Sequence, residues 1–216
     1  AKADDRWVLV TPDGNVFFYY PDQPQRQIRK GDVAAAFAAA DVIVEGTYRP
    51  GAIEQAPAEP AAALAIPEPD GRVTIHSTSQ ALYYSMDITA RHLRVPMGQL
   101  TFVGGTVGGG FGGKIDTKTE PVTAVLALKA RRPVKWRHTR EEEMLCSTTR
   151  ASWHIEIADA VTRDGWILGR RTLSLHDAGA YMMTSAYACS KHTFHLAGAY
   201  SIPAVAFNTY VVMTNR

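Results

Sequence analysis

The order of strand-type and helix-type segments predicts an α+β fold, in which mixed sheets carry packed helices. Segments with alternating apolar and polar residues, which is typical of strands, recur from residue 42 to residue 213. Helix-type segments stand between them, with apolar residues at helical spacing, as in Leu82, Met86 and Leu93. Turn signals such as Pro69-Asp70-Gly71 join neighbouring strands into hairpins. These three observations favour sheets and helices that pack on one another.

The first 50 residues are predicted to hold short elements and then a boundary. The elements are, in order, strands at 7–10 and 15–20, a helix at 33–40 that Asp32 caps, and a strand at 42–48. Arg49-Pro50-Gly51 then breaks the pattern. Because the helix–strand unit before this break looks complete, we place a domain boundary near residue 49.

The rest of the chain predicts alternating hairpins and helices around a glycine-rich loop. Before the glycine run we predict an irregular segment at 55–60, a hairpin of strands 61–66 and 72–77, a helix that is capped within Ser77–Gln80 and ends at Leu93, and a strand at 99–103. After the run we predict a helix at 117–131, whose apolar stripe is Val122, Val125, Leu126 and Ala130, a strand at 133–138, and a further helix that begins with a capping box of Thr139 and Glu142. The remaining predicted elements are strands at 153–157 and 166–175, a helix at 185–196 and a strand at 205–213.

Composition and charge exclude several classes of protein. The formal net charge is only +2, and Lys and Arg are scattered, which argues against nucleic-acid binding. No apolar stretch reaches the roughly 20 residues of a membrane helix, and no signal peptide opens the chain. Cys146 and Cys189 form no metal-binding pair, and two free thiols would favour a cytoplasmic location, with a single disulfide as the alternative. The chain starts without Met and stops directly after a strand, so we expect a fragment or one chain of a processed assembly.

The run from Val107 to Lys114 is the strongest functional signal. Five of the six residues from Gly108 to Gly113 are glycine, which removes side chains where a ligand must touch the backbone. Glycines also permit positive φ angles that turn several N–H groups toward one point. A following helix N-terminus would add partial positive charge. We therefore predict a cradle for a phosphate-bearing cofactor.

Two common phosphate motifs match this run imperfectly. Gly108-x-Gly110-x-x-Gly113 is the dinucleotide fingerprint, but the next strand, at 134–138, does not end in the acidic residue that binds ribose. The P-loop pattern requires Ser or Thr after Lys114, and Ile115 stands there. A nucleotide-binding module that uses Gly108–Lys114 remains the alternative hypothesis. A tightly turned connector and a piece that mainly provides an assembly surface are further possibilities.

Several motifs in a fixed order point to a family. The chain resembles the xanthine dehydrogenase/aldehyde oxidase family, whose glycine loop wraps the molybdenum–pterin cofactor. The resemblance covers roughly residues 28–216 and rests on Ile28-Arg29-Lys30-Gly31-Asp32, on Glu54-Gln55-Ala56-Pro57-Ala58-Glu59-Pro60, on Ser77-Thr78-Ser79-Gln80, on the run GGTVGGGFGGK, on Arg132-Pro133-Val134 with Thr139-Arg140-Glu141-Glu142, and on Asp177-Ala178-Gly179-Ala180-Tyr181.

The resemblance implies specific roles for the loop and its neighbours. It implies that residues 1–48 are the C-terminal tail of a preceding α/β domain with its linker, and that residues 49–216 are the first part of a molybdenum-cofactor-binding domain. Cofactor-binding residues would be Gly109, Gly110, Phe111, Gly112 and Gly113, and no side chain would ligate the metal. Substrate-binding positions would be Ile115 and Lys191, and Ile53 stands where many members have a glutamine near the metal's oxo group.

The activity implied is that of a molybdenum-dependent oxidoreductase, a hydroxylase that inserts oxygen derived from water. Because Ile115 cannot hydrogen-bond a purine edge and lysine lacks arginine's planar fork, an aldehyde or an aromatic heterocycle fits better than xanthine. The general-base glutamate would lie beyond Arg216, so no catalytic residue is assigned here and the isolated chain is expected to be inactive. Partners would be the remainder of the molybdopterin subunit and the domains or subunits that carry iron–sulfur clusters and FAD.

Some polar residues have structural explanations instead. Glu59 is predicted to bond nearby backbone amides rather than act as a catalytic acid. Lys114 either offsets phosphate charge or faces solvent, and Cys189 is predicted to be a buried thiol. The three glutamates at 141–143 are predicted to form a solvated helix start, favoured by the helix dipole. His192 and His195, three residues apart, are assigned to a mixed helix face rather than to a metal site.

Overall fold

The computed structural model describes residues 26–215, so the predicted strands at 7–10 and 15–20 lie outside the described part. The elements are, in chain order, β1 (Arg26–Lys30), α1 (Val33–Ala38), β2 (Val42–Tyr48), β3 (Ile53–Glu54), β4 (Ala62–Pro67), β5 (Val73–Ser77), α2 (Leu82–Leu93), β6 (Leu100–Gly104), α3 (Glu120–Ala130), β7 (Val134–Arg137), α4 (Arg140–Cys146), β8 (Thr149–Arg150), β9 (Trp153–Val161), β10 (Ile167–Gly179), α5 (Ser185–His195) and β11 (Ala204–Met213).

These elements form two compact units. One unit is continuous, residues 53–150, and the other combines the described residues up to 52 with those from 151 onward. The first unit is therefore inserted, in sequence, between β2 and β9 of the second. The predicted boundary near residue 49 concerns the whole protein and stays a prediction. None of the helices in the described residues has the length and apolar character to span a membrane.

The discontinuous unit is built on a five-stranded sheet with the order β1-β11-β10-β9-β2. The hairpin of β9 and β10 turns at the predicted Asp164-Gly165, while β10 and β11 run parallel because α5 connects them. Helix α5 packs on the face that carries Ser174 and Thr209, and Thr193 donates to the Thr209 hydroxyl at 2.9 Å. The parallel pair within an otherwise antiparallel sheet confirms the mixed-sheet prediction.

The continuous unit is built on a four-stranded sheet with the order β6-β5-β4-β7. Strands β4 and β5 form the predicted hairpin, and β5 runs parallel to β6 because α2 crosses between them. Helices α2 and α3 contact each other and the sheet, and their shared core is Ala63, Ala65, Val73, Ile75, Ala90, Leu100, Ala124 and Ala127. A short pairing of β3 with β8 joins the two ends of this unit. The α+β class is therefore confirmed.

The face that helix α3 buries differs from the sequence prediction. Helix α3 begins at Glu120 and buries Thr123, Ala124 and Ala127, whereas the predicted apolar stripe is exposed, at Val122, Val125, Leu126 and Ala130. The physical reason is close packing. The sheet face beneath α3 carries the small residues Ala63 and Ala65, so small helix residues allow the closest approach.

The predicted helix caps have mixed outcomes. Asp32 accepts from the amide of Ala35 at 2.9 Å, and Thr139 forms the predicted capping box with Glu142. The cap predicted for α2 within residues 77–80 is wrong, because the helix starts at Leu82 after Ala81, whose side chain cannot cap. Ser79 instead accepts from the amide of Ala81 and braces the turn that precedes the helix.

Candidate functional site

The glycine run lies in a long connection between β6 and α3 of the continuous unit. Helix α3 begins only at Glu120, six residues after Lys114, and its first turn already carries an acidic side chain. The predicted contribution of a helix N-terminus to anion binding stays a prediction. The donors that the run itself offers are its backbone N–H groups.

The backbone of the loop adopts the positive φ angles that glycine makes accessible. Gly109 has φ +96°, Phe111 has φ +51° and Gly112 has φ +89°. Phe111 is in the left-handed region that non-glycine residues rarely adopt, and its side chain is 64% exposed. Successive residues that switch hand in this way turn neighbouring N–H groups to one side, which is the geometry of an anion-binding nest.

The amides of the loop fall into two groups. Those of Gly108, Gly112 and Gly113 donate to protein acceptors, at 2.9 Å to Glu59 Oε2, at 3.1 Å to Gln80 Oε1 and at 2.7 Å to a backbone carbonyl. Within residues 26–215, the amides of Gly109, Gly110 and Phe111 donate to no protein atom. Three consecutive unused donors therefore lie at the centre of the run.

Three glycines of the run lie against neighbouring side chains. A Cβ at Gly108 would lie 2.7 Å from Glu59 Cβ, and one at Gly113 would lie 2.8 Å from Gln55 Oε1. A Cβ at Gly110 would meet the side-chain amide of Gln80. The constraint is strongest at Gly108, because the Cβ of Glu59 is fixed to its backbone while the ends of the glutamine side chains are flexible.

An ion pair beneath the loop involves Glu59 and Lys114. The Lys114 ammonium, which is only 3% exposed, lies 2.6 Å from Glu59 Oε2. Burial alone would raise the pKa of Glu59, but the hydrogen bonds from Lys114 and Gly108 outweigh it and lower that pKa. The prediction that Glu59 bonds backbone amides is confirmed. Of the two alternatives for Lys114, exposure to solvent is wrong, because the side chain is buried and paired with Glu59, and the offset of phosphate charge stays a prediction.

A second buried network fixes the segment that follows the loop. Glu143 is fully buried and accepts from the amide of Ala61 at 2.7 Å, from Lys118 Nζ at 2.9 Å, from the Ser147 hydroxyl at 3.0 Å and from His138 Nδ1 at 3.1 Å. Burial opposes its charge, yet the hydrogen bonds from Lys118, Ala61 and Ser147 and the charge of Lys118 lower the pKa of Glu143 to about 2. The prediction of a solvated position is wrong for this glutamate, which faces the core side of α4.

The positions assigned to substrate are distributed over both units. Ile115 is half-buried and directly follows the loop, and Ile53 on β3 is exposed. Lys191 is exposed on α5, in the discontinuous unit, with its Nζ 5.3 Å from the Tyr187 ring centroid. The structure thus places Ile53 and Ile115 in the unit of the glycine loop and Lys191 in the other.

His192, His195 and Cys189 each have a structural partner or are buried. His192 pairs with the Ser174 hydroxyl at 3.0 Å, and burial lowers its pKa, whereas His195 contacts the Lys191 carbonyl at 2.7 Å. Cys189 is buried as predicted, and burial raises its pKa to about 11. Within residues 26–215, no three His, Cys, Asp or Glu side chains converge on a possible metal position.

Sequence reasoning missed the role of Gln80. Its side-chain Oε1 accepts from the backbone amides of Gly112 and Lys114, at 3.1 and 3.2 Å, and its backbone N–H donates to the Lys114 carbonyl at 2.9 Å. The residue belongs to the quoted Ser77–Gln80 motif, but that motif was interpreted as a helix cap. The signal was present in the pairing of a glutamine with a glycine run whose amides need acceptors.

Comparisons with known proteins agree with this geometry. A family model described as the molybdopterin cofactor-binding domain matches residues 17–216. The chain belongs to this family. It is 30% identical over 191 residues to the nicotinate dehydrogenase large molybdopterin subunit of Eubacterium barkeri, which covers 88% of this chain and 45% of the relative. It is also 30% identical over 217 residues to the aldehyde oxidoreductase of Megalodesulfovibrio gigas, which covers 100% of this chain and 23% of the relative.

Solved structures show the same fold. The aldehyde oxidoreductase from Desulfovibrio gigas superposes with a TM-score of 0.84 at 29% identity, over 94% of this chain and 22% of that one. Quinoline 2-oxidoreductase from Pseudomonas putida 86 gives a TM-score of 0.78 at 25% identity, over 94% and 26%. The resemblance to the xanthine dehydrogenase/aldehyde oxidase family and the molybdopterin prediction are confirmed. The chain spans less than half the length of these relatives.

Proposed function

We propose that this molybdopterin-binding chain forms one wall of the cofactor site in a molybdenum hydroxylase. The single observation that carries the proposal is the set of three consecutive unused amides at Gly109, Gly110 and Phe111, within residues 26–215. Residues 49–216 would be the N-terminal part of the molybdopterin-binding domain, and residues 1–48 the tail and linker of a preceding α/β domain. The whole enzyme would hydroxylate an aldehyde or an aromatic heterocycle with oxygen from water.

The residues present fit the proposed cofactor. Three adjacent N–H groups without an acceptor in residues 26–215, two of them on residues with positive φ angles, suit the oxygen atoms of an anionic or strongly polar group. Sulfur donors from the pterin would hold molybdenum, so no side chain of this chain is proposed as a metal ligand. When bound, the cofactor supplies the two-electron redox chemistry of the metal. Amides of Gly112 and Gly113 are already donated, so the contacts are proposed for residues 109–111 and for backbone packing along the rest of the run.

Apolar side chains near the loop favour an apolar substrate. The Phe111 ring is exposed next to the unused amides, and Ile115 and Ile53 offer no hydrogen bond to a purine edge. Lys191 would present a single point charge rather than the planar fork of arginine. The relatives include an aldehyde oxidoreductase and a quinoline oxidoreductase as well as xanthine dehydrogenases, so the preference rests on these side chains and not on the names. We therefore favour an aldehyde or a heterocycle over xanthine.

Catalysis is proposed to need segments and partners beyond this chain. The general-base glutamate would come from the remainder of the molybdopterin subunit. Electrons would leave through iron–sulfur clusters and FAD on other domains or subunits. The isolated chain is expected to show no aldehyde oxidation, and turnover without any partner would refute this division of the site.

Cofactor analysis of the complete enzyme tests the proposal. Molybdenum and pterin should be recovered at about one per copy of this chain. Gly109→Ala, at φ +96° and next to Pro57, should lower that recovery, while Gly98→Ala, where a Cβ meets nothing within 4 Å, should not. If NAD or ATP stabilises the protein in a thermal-shift assay and no molybdenum is ever recovered, the nucleotide-binding alternative replaces the proposal.

A further inference from the structure

Two segments outside the glycine run hold it from below. Glu59 accepts from the Gly108 amide at 2.9 Å, and its own amide donates to the Gly108 carbonyl at 3.1 Å. The side-chain Oε1 of Gln80 accepts from the backbone amides of Gly112 and Lys114, and the backbone N–H of Gln80 donates to the Lys114 carbonyl. Both ends of the run are therefore tied to protein, while the middle is not.

The anchored ends leave a defined set of donors in the middle. A backbone amide buried without an acceptor is costly, so a glycine-rich loop tends to satisfy its own donors by turning inward. Here Glu59 and Gln80 supply acceptors only at Gly108, Gly112 and Lys114. The side chain of Gln80 also fills the space against Gly110, so the run cannot collapse onto it. The unused amides of residues 109–111 thus remain available to a ligand.

The charges beneath the run balance. The Glu59 carboxylate is matched by Lys114 Nζ at 2.6 Å, and the side chain of that lysine is only 2% exposed. Gln80 accepts two hydrogen bonds while carrying no charge. An acceptor with a negative charge at position 80 would repel an anionic group placed against the neighbouring amides. A neutral glutamine and a paired glutamate avoid that repulsion.

We propose that Glu59, Gln80 and Lys114 form a net-neutral clamp that positions the glycine run for the cofactor. They are positioning residues, because they act through the loop backbone and contact neither substrate nor metal in this proposal. The inference rests on the proposed function, since it assumes that residues 109–111 receive the molybdopterin. It adds the residues that set the loop conformation and the requirement that they carry no net charge.

The test uses the complete enzyme with two variants at Gln80 and one control variant at Gln99. Gln80→Leu keeps the bulk against Gly110 and removes the acceptor, Gln80→Glu keeps an acceptor and adds charge, and Gln99→Leu is the matched control on an exposed turn. Hydrogen exchange of the 105–114 peptide is measured in cofactor-free protein, and the rate of molybdopterin loss is measured in the loaded enzyme. Exchange at Ala61, which donates to Glu143, reports whether the unit stays folded.

Gln80→Leu should speed loop exchange and cofactor loss by about 10- to 30-fold, as expected when two hydrogen bonds are removed. Gln80→Glu should leave cofactor-free loop exchange near the wild-type rate and still lose the cofactor faster, which a purely structural role would not produce. Gln99→Leu should change neither rate. Equal behaviour of Gln80→Leu and Gln99→Leu would overturn the clamp, and so would equal cofactor retention in Gln80→Glu and wild type.

The ion pair provides a second test if Gln80→Leu does not assemble. Glu59→Gln and Lys114→Met should each speed loop exchange, because each leaves a charged or polar partner without its match. The double variant should exchange more slowly than the sum of the single effects predicts. Strictly additive effects would refute the pair's place in the clamp. A wild-type enzyme that never contains molybdopterin would instead refute the proposed function, which keeps the two failures distinct.

Discussion

Replacing Glu143 by glutamine should destabilise the unit formed by residues 53–150. The folded pKa of Glu143 is about 2, against an ordinary value of 4.5. At about 1.4 kcal/mol for each pKa unit, this difference corresponds to roughly 3 kcal/mol of folding free energy. Removal of one partner from a buried ion pair typically costs about 3–5 kcal/mol, which is the same range. Glu143→Gln should therefore lower the stability of the unit by about 3 kcal/mol.

The same pKa fixes the pH dependence of this contribution. Because the folded pKa lies below the unfolded one, protonation is harder in the folded protein. The stabilising contribution of Glu143 is therefore complete above about pH 5 and is lost progressively as the pH falls toward about 2. In Glu143→Gln this component of the acid sensitivity should be missing.

Native-state hydrogen exchange at Ala61 in the complete protein measures the effect directly, because that amide donates to Glu143 at 2.7 Å. Glu141→Gln, an exposed position on the same helix, is the matched control. Combining Glu143→Gln with Lys118→Met should recover part of the loss, since no buried ammonium is then left unpaired. If Glu143→Gln changes the opening free energy by less than about 1 kcal/mol, the assignment of the network as a stabilising centre is refuted.

Two further predictions concern the thiols and a helix cap. At pH 8, iodoacetamide should alkylate the exposed Cys146 and leave the buried Cys189 unmodified until the protein unfolds, because burial raises the pKa of Cys189 to about 11. Peptide mass spectrometry measures the labelling of each thiol, and equal labelling of both would contradict this prediction. Thr139→Ala should destabilise α4 by about 1 kcal/mol, and Thr139→Ser should retain most of the wild-type stability. The measurement is hydrogen exchange of the Glu142 amide, which donates to the Thr139 hydroxyl at 3.1 Å. An unchanged exchange rate in Thr139→Ala would show that the capping box contributes nothing.

The sequence predicted local elements well wherever alternation or capping chemistry was explicit. The strand at Val42–Tyr48, the hairpin turn at Asp164-Gly165 and the capping box of Thr139 follow from residue types that act over a few positions. The buried face of α3 was not predicted, because the most hydrophobic residues were expected to face the core. The packing instead selected Ala124 and Ala127 for size, and size selection depends on the strand that lies opposite.

The candidate site was predictable as a backbone feature and much less so in its supports. Glycine density pointed to Gly108–Gly113, because glycine adopts the positive φ angles of Gly109 and Gly112 without strain and leaves room for the neighbour at Gly108. Which amides remain unused depends on acceptors that come from distant segments, at Glu59 and Gln80. Nor could sequence show that Glu143, in a run of three glutamates, turns inward to meet Lys118. These are long-range contacts, which local patterns do not encode.

The insertion of one unit into the other has a consequence for biosynthesis. Strand β2 pairs with β9, so Tyr48 is synthesised well before its partner Ile155, and β1 is separated even further from β11. At about 5–20 residues per second, a ribosome needs roughly 5 to 20 seconds to synthesise the chain from β2 to β9, and all strands of the continuous unit are made in this time. During this interval the apolar segment of Val42, Ile43 and Val44 lacks the β9 partner with which it pairs in the folded sheet. The nascent chain is therefore most exposed to misassociation just before its second sheet can close.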